Sequence, residues 1–130
     1  MNTTTFLLVR LAIAASILGH GLVRLPKLSA FSTWMVNSFE KSILPEILVV
    51  PFSYVLPPAE FTIGLLLLVG LFTIPVLIAG AIIMILLIFG TTIIENWDAI
   101  PSQLIHVAFY AVLLQFSKYN DWALDNLFKK

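Results

Sequence analysis

Four ionisable side chains stand inside apolar runs of this chain: Arg10, His20, Glu60 and His106. A charge in hydrocarbon is rare and faces a partner, a cavity or water, so each marks a candidate functional position. Histidine offers one ring nitrogen as donor and one as acceptor, and it titrates near neutral pH. Arginine is a fixed donor, and a carboxylate takes or gives a proton. Together they suit a carbonyl oxygen or a small anion: a donor to hold it and a titratable neighbour to move a proton. Arg24, Glu95 and Tyr110 are further candidates for the same polar intramembrane cluster.

Helical spacing says which of these share a face. At ~100° per residue, Arg10, His20 and Arg24 fall within roughly 80° of one another, with Ala14, Ile17 and Gly21 between them. One stripe of that helix is polar and partly lined by small residues, so it is expected to face other helices. Gln103, His106 and Tyr110 share a face in the same way. Depth follows from the ~1.5 Å rise per residue: His20, Arg24, Glu95 and His106 lie toward the first-loop side, Glu60 near mid-membrane, and Arg10 about a third of the way in from the terminal side. Opposite charges within reach of each other predict an Arg10–Glu60 ion pair. His20, Glu60 and His106 are expected to line one pocket open to the first-loop side. A purely structural reading stands beside each: a pair that fixes helix register, imidazoles satisfied by a backbone carbonyl or water, and Arg24 and Lys27 reaching to headgroups.

The elements that must position these residues are four apolar runs. Of 130 residues 60% are hydrophobic and only 11% charged. A soluble domain of this size has too much surface to hide that fraction, so the bilayer is the expected solvent. The fold class this predicts is all-α: an integral membrane, antiparallel bundle of four transmembrane helices in a single domain, residues 1–130. The spans are placed at about 4–23, 49–72, 74–95 and 102–116, near the ~20 residues a hydrocarbon core requires. The first is read as a retained span and not a signal peptide, since it has no basic leader and no small-residue cleavage site. Residues 28–44 differ in kind. Leu28, Phe31, Met35 and Phe39 recur at helical spacing with Ser32, Asn37, Glu40 and Lys41 between them, which predicts an interfacial amphipathic helix folded over the mouth of the bundle. Pro57 and Pro58 are expected to kink the second span, and Thr73 to cap the third, with Pro75 in its first turn. Trp34, Trp97 and Trp122 read as interface anchors, and the tail 117–130 as a polar segment along the surface.

Several classes are excluded or disfavoured. Seven basic and seven acidic residues cancel, leaving no basic face for nucleic acid. The absence of cysteine removes disulfides, thiol relays and thiolate metal sites. No close histidine spacing such as H-x-x-x-H points to a metal. Basic residues tie between the first loop (Arg24, Lys27, Lys41) and the tail (Lys118, Lys129, Lys130), so charge alone gives no orientation.

HGLVRLPKL (His20 to Leu28) followed by PPAEFTIGLLLLVGLFT (Pro57 to Thr73) resembles the DoxX/DoxX-like family of small four-helix bacterial membrane proteins. The features that carry the resemblance are Arg10 early in the first span, Gly21 and Lys27 at its exit (more widely spaced than the family's Gly-x-x-Lys-like pattern), and Glu60 ahead of a Gly-Leu-rich run from Gly64 to Gly70. It extends from Val9 to Phe116. The resemblance implies a multi-pass protein of the bacterial cytoplasmic (inner) membrane, with termini in the cytoplasm. It also implies a redox-associated subunit linked to a quinone, or an accessory or assembly subunit of a larger membrane complex or homo-oligomer. On the first reading Arg10, His20, Glu60 and His106 hold a quinone head group or small anion. On the second they only fix helix packing. A small transporter is the third reading, disfavoured by the absence of an inverted repeat.

Overall fold

The structure is a computed structural model and describes residues 1–129. It is all-helical among those residues, with five α-helices: α1 (Thr3–Arg24), α2 (Leu28–Phe39), α3 (Glu46–Val69), α4 (Thr73–Ile93) and α5 (Ile100–Gln115). Four helical segments are long and apolar enough to cross a membrane: Thr3–Phe39, Glu46–Val69, Thr73–Ile93 and Trp97–Gln115.

α1 begins where Asn2 caps it, its side chain accepting the Thr5 N–H at 2.9 Å. Its buried stripe is Phe6, Arg10, Ile13, Ala14, Ile17 and Gly21. Pro26 does not end the helical path. One 3-10 turn, Leu25–Lys27, carries the chain directly into α2. α2 stops at Phe39, five residues short of the expected end, where Ser42 Oγ donates to the Phe39 carbonyl and turns the chain. Its Met35 packs with Val49 and Leu56 of α3. Ser32, expected on the polar face, is buried at that contact because it donates to Ser53 Oγ (2.7 Å), which in turn donates to the Val50 carbonyl.

α3 runs unbroken through Pro51, Pro57 and Pro58. The last two withhold the N–H groups that the Ser53 and Tyr54 carbonyls would otherwise receive. α3 ends at Gly70, whose φ of +73° supplies the left-handed cap that a Cβ would strain. α1 and α3 approach most closely at two glycines. A Cβ on Gly21 would fall 2.5 Å from the Phe61 backbone nitrogen, and one on Gly64 the same distance from that of Leu18. Any larger residue there would drive the two backbones apart.

The main core joins α1 (Phe6, Ile13, Ile17), α3 (Ile63, Leu67), α4 (Leu77, Met84) and α5 (Tyr110, Leu113). The outer faces stay apolar: Leu8, Val55, Ile82, Leu86 and Ile105 are all more than half exposed.

The expectation that Thr73 caps α4 is corrected. Thr73 is the first helical residue, and the cap comes from the far end of the chain. Asp125 accepts the N–H groups of Phe72 (2.6 Å) and Thr73 (2.9 Å) on its two carboxylate oxygens, while its own N–H donates to the Gly70 carbonyl at 3.0 Å. A carboxylate facing the orphan N–H groups of a helix start satisfies both the hydrogen bonds and the local dipole. The tail docks elsewhere too: Asn120 Nδ2 donates to Thr73 Oγ1 (3.0 Å), and Asp121 accepts from Thr3 Oγ1 (2.5 Å). The tail thus runs over the surface, as expected, but is tied to the bundle by these bonds.

Candidate functional site

Arg24 closes the last turn of α1, and Glu60 sits midway along α3. Because Gly21 lets the helices touch at Phe61, Glu60 lies beside the final turn of α1. Arg24 Nη1 donates to Glu60 Oε1 at 2.7 Å. The carboxylate is 2% exposed and the guanidinium side chain 29%, so the pair has one sealed member and one reaching toward open space. The Arg24 guanidinium also lies 4.6 Å from the centre of the Phe31 ring, anchoring α2 over it.

The expected Arg10–Glu60 pair is therefore corrected to Arg24–Glu60. Arg10 is occupied at the opposite end. Its two terminal nitrogens donate to Asn120 Oδ1 (2.6 Å) and the Trp122 carbonyl (2.9 Å), both from the docked tail. It is 2% exposed, and its Nε has no partner among the described residues.

The histidines come together. His20 Nδ1 lies 2.6 Å from the Ser16 carbonyl, and His106 Nδ1 lies 2.7 Å from the Ser102 carbonyl; each is bonded one turn back along its own helix. A carbonyl oxygen only accepts, so both Nδ1 atoms carry the proton. His106 Nε2 then accepts from the Ser16 hydroxyl at 2.8 Å, linking α5 to α1. The rings meet edge-on with centroids 6.1 Å apart. The sequence does signal this arrangement, in two copies of Ser-x-x-x-His, Ser16/His20 and Ser102/His106.

His20, Arg24, Glu60 and His106 line one cavity of about 440 Å³. Its remaining wall is mainly apolar and aromatic: Phe31, Trp34 and Phe39 from α2, Phe52 from α3, and Met84 and Leu87 from α4. Gln103 completes the polar end, its Nε2 donating to Thr91 Oγ1 at 2.9 Å. Trp34, Leu48, Leu86 and Phe89 line the cavity and are also well exposed, so the opening lies on an apolar flank of the bundle. The aromatic wall from α2 and the Gln103–Thr91 bond lie outside the set of ionisable residues that sequence reasoning singled out.

Besides Arg10, two candidates do not join the cavity. Glu95 is exposed in the turn after α4, where its φ is +57°. Tyr110 is fully buried against Gly80, where a Cβ would fall 2.7 Å from its ring, and its hydroxyl has no partner among the described residues. The same face of α5 that carries Gln103 and His106 to the cavity thus turns Tyr110 into the core. Among the described residues no three His, Asp or Glu side chains converge as metal ligands. The chain matches no family model, no curated protein and no solved structure.

Proposed function

We propose that this chain crosses the bacterial cytoplasmic membrane four times as an antiparallel bundle and works as a DoxX-like, quinone-linked subunit whose cavity holds a quinone-class ring. The carrying observation is the cavity itself: aromatic walls, an opening on an apolar flank, and one polar end built by His20, Arg24, Glu60, Gln103 and His106. A volume near 440 Å³ is ordinary for a small-molecule site, and mainly apolar walls with a few convergent polar groups are its usual make-up. Arg24 and Glu60 cancel in charge, so the end favours a neutral head group over an anion. A flat ring with oxygen substituents and an apolar chain fits such a space. When bound, the ring supplies the electron chemistry, while the chain's own residues orient its oxygens and keep water out.

The antiparallel arrangement is supported by register. Gly21 meets Phe61 and Leu18 meets Gly64, so numbers fall along α1 as they rise along α3. Orientation is supported by charge once Arg24 is committed to Glu60 and leaves the loop tally. The tail then carries three lysines (Lys118, Lys129, Lys130) against two in the first loop (Lys27, Lys41), which favours termini in the cytoplasm.

The test uses Trp34, which lines the cavity, with Trp97 and Trp122 replaced by Phe. Titration of this protein in lipid nanodiscs with decylbenzoquinone is expected to quench Trp34 saturably, with a Kd on the order of micromolar. A matched protein keeping only Trp97 should show no saturable phase. If neither tryptophan saturates, the second reading takes over: an accessory subunit of a larger complex or homo-oligomer. That reading is favoured by one observation, that the Arg24–Glu60 and Ser16–His106 bonds already hold α1 to α3 and α5 without a ligand.

A further inference from the structure

We propose that the cavity selects a ligand that donates hydrogen bonds, a phenolic or hydroquinone hydroxyl and not a quinone carbonyl, and that His20 is the residue that makes the selection. This rests on the reading of the cavity as the site of a membrane-soluble ring.

The argument is one of which atoms remain free. His20 and His106 both commit Nδ1–H to backbone carbonyls. His106 Nε2 is already satisfied by Ser16 Oγ. His20 Nε2 has no hydrogen-bond partner among the described residues, and His20 lines the cavity. In the neutral ring the one proton is held on Nδ1, and that free nitrogen is then an acceptor. Gln103 repeats the pattern. Its Nε2 is bonded to Thr91, which orients the amide, and its Oε1 is buried without a partner. In its ionised form Glu60 has only acceptors, and the oxygen not bonded to Arg24 adds one more to this end. Arg24 is the chief donor at this end: Nη1 is committed to Glu60 while its other N–H groups stay free among the described residues, so the selection falls to His20, where the acceptor has no donor bonded to it.

A carbonyl placed against His20 Nε2 would set two acceptors face to face, and covering an otherwise exposed acceptor without giving it a donor is costly. A hydroxyl there completes the network. A cationic amine would also donate, but the Arg24 guanidinium stands at the same end. The flat walls from Phe31 and Trp34 favour an aromatic ring as carrier of the hydroxyl.

The experiment compares three probes on the native chain in nanodiscs by anaerobic calorimetry: decylhydroquinone, its dimethyl ether and decylbenzoquinone. They share a ring and a tail, and only the first can donate. The hydroquinone is expected to bind roughly tenfold more tightly than either of the others, the scale of one well-made hydrogen bond. In His20→Phe that preference, read as the ratio of the two affinities within the variant, should shrink to about twofold, since the change removes both the hydrogen bond to the hydroxyl and the opposed acceptor that a carbonyl would meet. Quinone or ether binding as tightly as hydroquinone to the native chain overturns this inference and leaves the cavity reading intact. Saturable binding by none of the three overturns both. A full preference retained in His20→Phe overturns the role of His20. The comparison on the native chain does not depend on how the variant folds.

Discussion

Arg24 and Arg10 lie on one stripe of α1, and only one of them meets Glu60. They are fourteen residues apart in the sequence, which is about 21 Å along a helix axis. Contact between Gly21 and Phe61 places Glu60 within a turn of Arg24 and out of reach of Arg10. That register is set by where two glycines let backbones touch, and hydropathy does not encode it. The shared stripe was legible in the sequence; the register between the helices, and with it the choice of partner, was not. Arg10 found its partners in the Asn120 side chain and the Trp122 carbonyl, more than a hundred residues away, which no local pattern announces. The consequence is measurable. Arg24→Met should cost about 3 kcal/mol of stability, the scale for leaving a buried charge without its partner, and Glu60→Gln less, because the Arg24 it leaves is partly exposed. The double variant should lose clearly less than the sum of the two. Arg10→Met combined with Glu60→Gln should instead be additive, because the two residues share no partner. Unfolding in mixed micelles measures the native protein, the three single variants and the two doubles, and additivity for Arg24 and Glu60 would remove the pair from the account of the site.

Among elements, the spans were the most legible feature. Runs of twenty apolar residues have one reading, and α1, α3, α4 and α5 begin and end within about three residues of the expected positions, the usual latitude at helix ends. The amphipathic segment was legible as a helix but not in its packing. Ser32 reads as polar, and only the presence of Ser53 on α3 makes it a buried contact. The start of α4 was misread because its cap comes from Asp125, over fifty residues away. Partial burial pushes the Asp125 carboxyl up, but hydrogen bonds from Thr73 and from the Phe72 N–H outweigh it and hold the group below its ordinary range, with Lys129 adding to them. A carboxyl depressed in the folded state stabilises fully above its unfolded pKa, and that stabilisation is lost as pH falls through the folded value. Docking of the tail should therefore weaken on acidification below about pH 4, the ordinary carboxylate range. Asp125→Asn should cost about 1 kcal/mol at neutral pH, as for other lost caps, and flatten the acid dependence. Hydrogen exchange at residues 120–128 reads both. Protection unchanged in the variant would show that Asn120 and Asp121 hold the tail without Asp125.

At the scale of the whole molecule, the arrangement rests on an exchange of solvents. Leu8, Val55, Ile82, Phe89 and Ile105 stay outside, and in water such a surface would drive aggregation. In hydrocarbon it costs nothing, and close packing at Gly21 and Gly64 supplies what water would otherwise supply by exclusion. The polar groups then sort to two ends. The tail, Arg10 and the α3–α4 turn form one end. Lys41, the α4–α5 turn and the cavity with His20, Arg24 and His106 lie toward the other. In the proposed four-span antiparallel bundle these ends face opposite compartments, and the lysine tally favours the tail inside. The chain has no cysteine, so single replacements report without background. Lys41→Cys, Asp98→Cys and Lys129→Cys each place a thiol at an exposed position. In intact cells a membrane-impermeant maleimide should label the first two, and Lys129→Cys should react only after lysis. Labelling of Lys129→Cys alone would keep the bundle and reverse its orientation. Labelling that separates Lys41→Cys from Asp98→Cys would mean that the chain crosses an odd number of times between them, which four antiparallel spans cannot do.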